Sequence, residues 1–150
     1  MFSDGVLCFS VLPVAPETEY IFYDGHCGLC HRAVKFVLKH DHTGTAFRFA
    51  PLQGETIKPL LSPEQRSSLP DSFVVLTRDK TLLTRSNASL YVMQCLGGAW
   101  KPLANILSLV PRSLRDLVYD FVARVRYRVF GQQDNLCPVV PPALRARFDP

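Results

Sequence analysis

The chain has 150 residues, with 17 basic and 13 acidic side chains for a formal charge of +4, and 47% of its residues are hydrophobic. That length suits one domain with a real apolar core, and the apolar and charged fractions are ordinary for a soluble globular protein. No apolar run approaches the roughly 18–20 residues that cross a bilayer, so no membrane span is expected.

The opening MFSDGVLCFSVLPVAPETEY carries an acid at Asp4, no basic start and no clear small-residue cleavage site. It does not read as a secretory signal, and the cytoplasm is the expected location. Five cysteines are an odd number at uneven spacing, unlike a disulfide-stapled secreted domain. In a reducing compartment one close pair points to catalysis or metal binding. Much of the basic excess lies at Arg112, Arg115, Arg124, Arg126, Arg128, Arg145 and Arg147, interleaved with Asp116, Asp120, Asp134 and Asp149. Such mixing reads as a solvated helix face rather than a nucleic-acid or lipid site, and no nucleic-acid partner is expected.

In chain order, residues 1–18 read as an N-terminal extension, because Pro13 and Pro16 interrupt their apolar stretch. Residues 19–150 read as the domain. Tyr20 to Tyr23 is an aromatic and β-branched run, a buried strand ended by Asp24-Gly25. From about Gly28 to His40, Ala33, Val34, Val37 and Leu38 recur at helical spacing. Asp41 to Gly44 is a turn, and Ala46 to Ala50 alternates as a strand. Pro51 to Leu69 holds no strong strand, but Ser62-Pro63 reads as a helix start, with Ser62 capping and Pro63 at the first helical position. Ser72 to Thr77 is the clearest buried strand, and Thr81 to Thr84 returns as its hairpin partner.

Ser86 is placed to cap a helix to about Leu96, ended by Gly97-Gly98, and a further helix covers Leu103 to Val110. After Pro111, Leu114, Leu117, Val118, Phe121, Val122, Val125 and Val129 form one apolar stripe, which predicts a long amphipathic helix closed by Gly131. The tail from Gln132 to Pro150 is Pro-rich and reads as irregular chain packed on the domain. The order strand, helix, strand, helix, strand, strand, helix predicts an α/β domain with a small mixed four-stranded sheet flanked by helices. It is the order of the thioredoxin-like fold, with extra C-terminal helices.

The informative segment is Ile21 to His31, with Cys27 and Cys30 following a strand at the start of a helix. Positions i and i+3 share a helix face at a separation a disulfide can bridge. Free N–H groups and the positive end of the helix dipole favour a thiolate there. Cys27 comes first and is expected to be the more exposed, attacking thiol. Cys30 lies about one turn deeper and is expected to be the less accessible, resolving thiol. Together they would form a redox-active disulfide.

His26 and His31 flank the pair and, if protonated, would support the thiolate. Asp24 is placed to cap the loop or to relay a proton to Cys30, and its place in a strand-end turn favours capping. Pro70 precedes the third strand, where thioredoxin-like proteins carry a cis-proline facing the redox pair, although Asp71-Ser72 intervene. It is a candidate for that position.

Three rival readings use the same cysteines. Cys27 to His31 spells CxxCH, a c-type haem attachment motif that needs His31 as an axial ligand and an exported protein. A structural zinc site would need Cys95 and Cys137 to join, and neither belongs to a second CxxC. The third is that the pair is inert core, a reading preferred only for Cys8 and Cys95. No cofactor and no metal is expected.

The segment Phe22-Tyr23-Asp24-Gly25-His26-Cys27-Gly28-Leu29-Cys30 resembles the signature of the DCC family of thiol–disulfide oxidoreductases. Asp24, Cys27 and Cys30 fall on its three named positions. The likeness continues through Phe47 to Gln53, Ser86-Asn87-Ala88, Gly98-Ala99-Trp100 and Pro111 to Gly131, and ends with Cys137-Pro138 and Arg145 to Phe148. It covers residues from about 20 to 148. Ala50-Pro51 departs from the family pattern and reads as a local end to the second strand.

The resemblance implies a thioredoxin-like fold and dithiol–disulfide exchange. The substrate would be a disulfide-containing protein or a small thiol, and the reductant a cellular dithiol or glutathione. It gives Cys137 a place as a third redox thiol, a regulatory cap on Cys27 or a packed tail residue. It also places Arg115, Asp116, Tyr119, Arg126 and Tyr127 on the long helix, either lining a substrate groove or forming a polar network that seats the helix on the sheet. The competing functions are a metal- or haem-binding module and a non-catalytic interaction domain.

Overall fold

The structure, a computed structural model, describes residues 18–70, 73–132 and 141–149. Strand β1 spans Glu19–Tyr23 and helix α1 Gly28–His40, followed by β2 (Phe47–Pro51) and two short helices, α2 (Ile57–Leu60) and α3 (Pro63–Ser67). The hairpin of β3 (Val74–Leu76) and β4 (Leu82–Thr84) leads into α4 (Arg85–Leu96), α5 (Trp100–Ser108) and α6 (Arg112–Phe130), and a 3-10 turn covers Pro142–Arg147.

The sheet order is β2-β1-β3-β4. β1 runs parallel to β2 and antiparallel to β3, and β4 is antiparallel to β3. This mixed four-stranded sheet flanked by helices is the predicted α/β architecture. The return from β1 to β2 is made through α1, since parallel neighbours need a crossover.

Strand alternation splits the core in two. Ile21, Tyr23, Phe47, Phe49 and Val75 join Val34 and Val37 of α1 and Ala88 and Val92 of α4 on one face. Tyr20, Phe22, Ala50, Val74 and Leu76 pack with Ile57 and Leu61 on the other. Both faces are covered, which is why Tyr20-Ile21-Phe22-Tyr23 reads as a continuous apolar run rather than an alternating one.

Several boundaries have identifiable causes. Pro51 is the last residue of β2, paired with Tyr23, in line with its missing N–H. The predicted third strand is shorter than expected at both ends. The Phe73 N–H is donated to the Tyr119 hydroxyl at 3.2 Å, and Thr77 N–H turns to Thr81 O at 3.0 Å. Ser62 caps α3 as expected, with a complete capping box to Gln65.

Ser86 does not cap α4. The N-cap is Thr84, and the Ser86 hydroxyl is instead donated to Asp116 of α6. No sequence signal pointed to α2. The C-terminal tail docks through Arg147, which donates to Asp41 at 2.6 Å, and through Asp149, which accepts from Arg48 at 2.8 Å and from Tyr20 at 2.8 Å.

Helix α6 forms where predicted, but with its faces reversed. An amphipathic helix of a globular domain normally turns its apolar stripe to the core. Here Leu114, Leu117, Val118, Phe121 and Val129 are between 51% and 66% exposed. The polar face is inward. Tyr119 meets Phe73, Asp116 meets Ser86, and Arg115 donates to Val110 O at 3.0 Å. Arg126 is buried at 7% exposure. The polar-network expectation for these positions therefore describes how α6 is held, with the network reaching α4 and the loop after β1. Cys95 on α4 is exposed and is not the core residue expected, while Cys8 lies outside the described residues.

Candidate functional site

The loop Asp24–His26 carries the chain from β1 into α1. Cys27 is the N-cap of α1, in extended conformation, and its sulfur accepts the Cys30 N–H at 3.3 Å. This is the position where serine or aspartate ordinarily satisfies a free helix N–H. A thiolate placed there gains the same hydrogen bond and the favourable end of the helix dipole.

The Cys30 thiol, the Cys30 N–H and the Arg126 guanidinium outweigh the opposing effect of burial and lower the Cys27 thiol to about 6. Cys30 moves the other way. Its hydrogen bond to Cys27, its burial and the neighbouring anion all push it up. One thiol is thereby held ionised and the other protonated.

Exposure differs from expectation. Cys27 is the more buried of the two, at 0% against 5% for Cys30. The cause is the C-terminal end of α6, which the sequence order gives no reason to place here. Gly28 N–H is donated to Gly131 O at 3.1 Å, and Cys27 pairs with Gln132 in an isolated bridge. Gly131 turns the chain at φ 76°, a conformation glycine adopts without strain. The close approach requires glycine at position 28 as well, because a Cβ there would lie 2.3 Å from Phe130 O. Gly28→Ala is therefore expected to destabilise the fold by about 1–3 kcal/mol through overpacking. It should also speed alkylation of Cys27 by forcing the end of α6 away. Urea unfolding and iodoacetamide trapping check the two halves of this prediction.

Asp24 is 1% exposed and has all its acceptor positions engaged. Oδ1 accepts from His26 N–H at 3.0 Å and Gln53 Nε2 at 3.0 Å. Oδ2 accepts from Arg126 at 3.1 Å and from the Tyr127 hydroxyl. Burial raises its affinity for a proton, but the donors from Tyr127, His26 and Gln53 and the charge of Arg126 outweigh it and hold the carboxyl below its ordinary range. The Gln53 carboxamide also accepts Gly25 N–H at 3.0 Å, so the end of β2 grips the loop at two points. Asp24 thus caps the loop as a fixed anion and locks α6 onto it.

The flanking histidines differ. His26 is exposed. His31 is buried at 6%, with Nε2 donating to Gly25 O at 2.7 Å and its ring edge-on to Tyr23. Burial lowers its proton affinity, against the pull of Gly25 O. Its ring steadies the loop as a neutral group, and the cation acting on both thiols is Arg126.

Pro70 precedes β3, but no peptide bond among the described residues is cis, so the cis-proline expectation is not met. Cys137 lies outside the described residues. No group of three His, Cys, Asp or Glu side chains among the described residues is arranged to hold a metal ion, and Cys95, which a zinc site would need, is exposed on α4.

A cavity of about 260 Å³ lies under α6, where Leu29, Phe36, Val92 and Tyr119 adjoin Cys30 and Arg126. Arg126 Nε is buried with no hydrogen-bond partner among the described residues.

Gln53 is the site residue that sequence reasoning missed, and Arg126 and Tyr127, expected in a groove or a polar network, prove to meet at Asp24. The signal for the latter two was present in α6. Asp116, Tyr119, Arg126 and Tyr127 recur on the face opposite the apolar stripe, a polar row too specific in type for a solvated surface.

The family described as DCC1-like thiol-disulfide oxidoreductase matches residues 21–132. The uncharacterized protein YuxK of Bacillus subtilis (strain 168) is 39% identical over 134 residues, 87% of this chain and 93% of that protein. A chloroplastic DCC family protein of Arabidopsis thaliana is 36% identical over 115 residues, 77% of this chain and 66% of its own length. No solved structure matches the chain significantly.

Proposed function

Because the chain belongs to the DCC1-like thiol-disulfide oxidoreductase family, we propose that it performs dithiol–disulfide exchange with Cys27 attacking and Cys30 resolving. The observation that carries this reading is the Cys27 sulfur at the N-cap of α1, accepting the Cys30 N–H beside the Arg126 charge. The thiolate is the nucleophile in such chemistry, and a thiol lowered to about 6 is largely ionised at neutral pH.

The Cys27 thiolate attacks one sulfur of a substrate disulfide, forming a mixed disulfide and releasing the other sulfur as a thiolate that takes up a proton. Cys30 then gives up its proton and attacks the Cys27 sulfur, releasing the second substrate thiol. The substrate gains two electrons and two protons, and the protein is left with a Cys27–Cys30 disulfide. A cellular dithiol or glutathione restores the reduced pair. The substrate class is a disulfide-containing protein or the disulfide of a small thiol compound, and the working location is the cytoplasm. Since Cys27 is closed to solvent, attack requires the Gly131–Gln132 backbone to part from Cys27 and Gly28 first.

A redox titration of the purified protein against glutathione buffers tests the reading. It should give one reversible two-electron couple that needs both thiols. A protein whose two thiols titrate independently, or not at all, would overturn it. In the reduced protein, the rate of Cys27 alkylation should rise with pH through a midpoint near 6. It should stay slow relative to a free thiolate, because opening limits access.

Cys27 contributes stability that is fully present above the ordinary thiol range and is lost as pH falls through about 6. The raised Cys30 contributes stability below that range and loses it above. The reduced form should therefore gain most over the Cys27→Ser, Cys30→Ser double variant near the ordinary thiol range, and less on either side, as read by urea midpoints.

A further inference from the structure

The outward face of α6 is unlike an ordinary protein surface. Leu117, Phe121 and Val129 are 66%, 63% and 66% exposed, and Leu109, at the corner between α5 and α6, is 83% exposed. A helix of 19 residues is roughly 28 Å long, so these side chains define an extended apolar strip rather than a scatter of single residues. Exposed apolar strips on soluble domains mark interaction surfaces.

The polar face of α6 is committed to holding Asp24, Phe73 and Ser86. The reversed orientation is thus fixed, and the strip cannot be turned inward without breaking the site.

The charges on this face choose the occupant. Arg124 and Arg128 are exposed and make no ion pair among the described residues. Of the two acids of the helix, Asp120 borders the strip beside Leu117, Phe121 and Arg124, and both are engaged. Asp116 accepts from Ser86 and pairs with Arg112, and Asp120 faces Arg85 of α4 at 3.5 Å.

The strip is therefore apolar, with two unpaired arginines at its edge and its bordering acid, Asp120, engaged by Arg85. A two-fold contact with a second copy would have to be self-complementary, and would bring arginines together while the acid at this edge, Asp120, is already engaged by Arg85. An anionic bilayer surface supplies both missing partners, acyl chains for the strip and lipid phosphates for the arginines.

We propose that α6 docks this protein on anionic membrane surfaces, with the helix lying in the interface. No helix among the described residues is long and apolar enough to cross a bilayer, so the association is peripheral. The inference is independent of the thiol chemistry. It does set the dithiol beside the membrane, because the end of α6 is the segment that covers Cys27.

Sedimentation of the full chain with vesicles tests it. Vesicles of mixed phosphatidylcholine and phosphatidylglycerol should carry the protein down, phosphatidylcholine alone should not, and added salt should release it. The Leu117→Gln, Phe121→Gln double variant should lose binding. The Arg124→Gln, Arg128→Gln variant should bind roughly thirtyfold more weakly, given about 1 kcal/mol per basic residue near an anionic surface. All four side chains point outward, so circular dichroism and the Cys27 alkylation rate should be unchanged in both variants, separating docking from folding. Failure to bind anionic vesicles would overturn the proposal. So would a dimer in sedimentation velocity that the Leu117→Gln, Phe121→Gln variant dissolves, since that result assigns the strip to a second copy.

Discussion

Cys27→Ser is expected to abolish disulfide exchange, by on the order of 10³-fold or more, whereas Cys30→Ser should stop turnover but leave the first step intact. The reason is the division of labour between the two sulfurs. Cys27 holds the anion at the helix start, and a serine hydroxyl there neither ionises near neutral pH nor forms a bond to sulfur. Cys95 does not replace it, because it lies on α4 and partial desolvation together with the Glu19 charge raises its proton affinity.

In Cys30→Ser the mixed disulfide has no internal thiol to resolve it and should accumulate. Incubation with oxidised glutathione, followed by mass spectrometry, should show one glutathione per chain on Cys27 in that variant and none in Cys27→Ser. The same variant loses the Cys30 thiol, the largest influence lowering Cys27. Its alkylation midpoint should therefore move up from about 6 toward the ordinary thiol range. An unchanged midpoint would mean that the helix end and Arg126 hold the anion without Cys30.

Arg126→Met is expected to be the most damaging single change to stability. It leaves the Asp24 carboxylate, 1% exposed, without its guanidinium. Breaking a buried ion pair from one side typically costs about 3–5 kcal/mol, because the remaining charge stays buried and unpaired. Asp24→Asn should be comparably damaging from the other side, since it strands the Arg126 cation.

Asp24 is held below its ordinary range, so its contribution is present above the unfolded carboxyl value and is lost as pH falls through the folded one. The gap between wild type and Arg126→Met should therefore be full at neutral pH and shrink in acid, as read by denaturant unfolding across pH. Arg126→Met should also raise the alkylation midpoint of Cys27, which a merely structural role for the arginine would not do. Replacing both members, as Asp24→Leu with Arg126→Met, should cost less than the sum of the single changes, because neither charge is then stranded.

The elements legible in the sequence are those whose signals are local. Tyr20 to Tyr23 is buried on both faces, and the recurrence of Val34, Val37 and Leu38 marks α1. Ser62-Pro63 announces α3, and Gly97 and Gly131 end their helices. These follow from backbone preferences and short-range periodicity, which a chain carries within a few residues. Where the expectation slipped, a distant group took over a local one. Ser86 was free to cap its own helix but bonds Asp116 thirty positions away. The N–H of Phe73 leaves the strand ladder for Tyr119.

The amino-acid sequence alone determined the α/β order, the pairing of two thiols at a helix start and the existence of an amphipathic helix after Pro111. Only the tertiary structure decided which face of that helix is inward. Amphipathicity measures contrast between two faces and carries no direction. The direction came from Asp24, a buried carboxylate 102 residues from Arg126 that needs a cation and donors from α6. The burial of Cys27 was settled by the same contact. Meeting the demand of one anion drew the polar face of α6 to the loop, laid the end of the helix across the thiol, and left the apolar strip facing out.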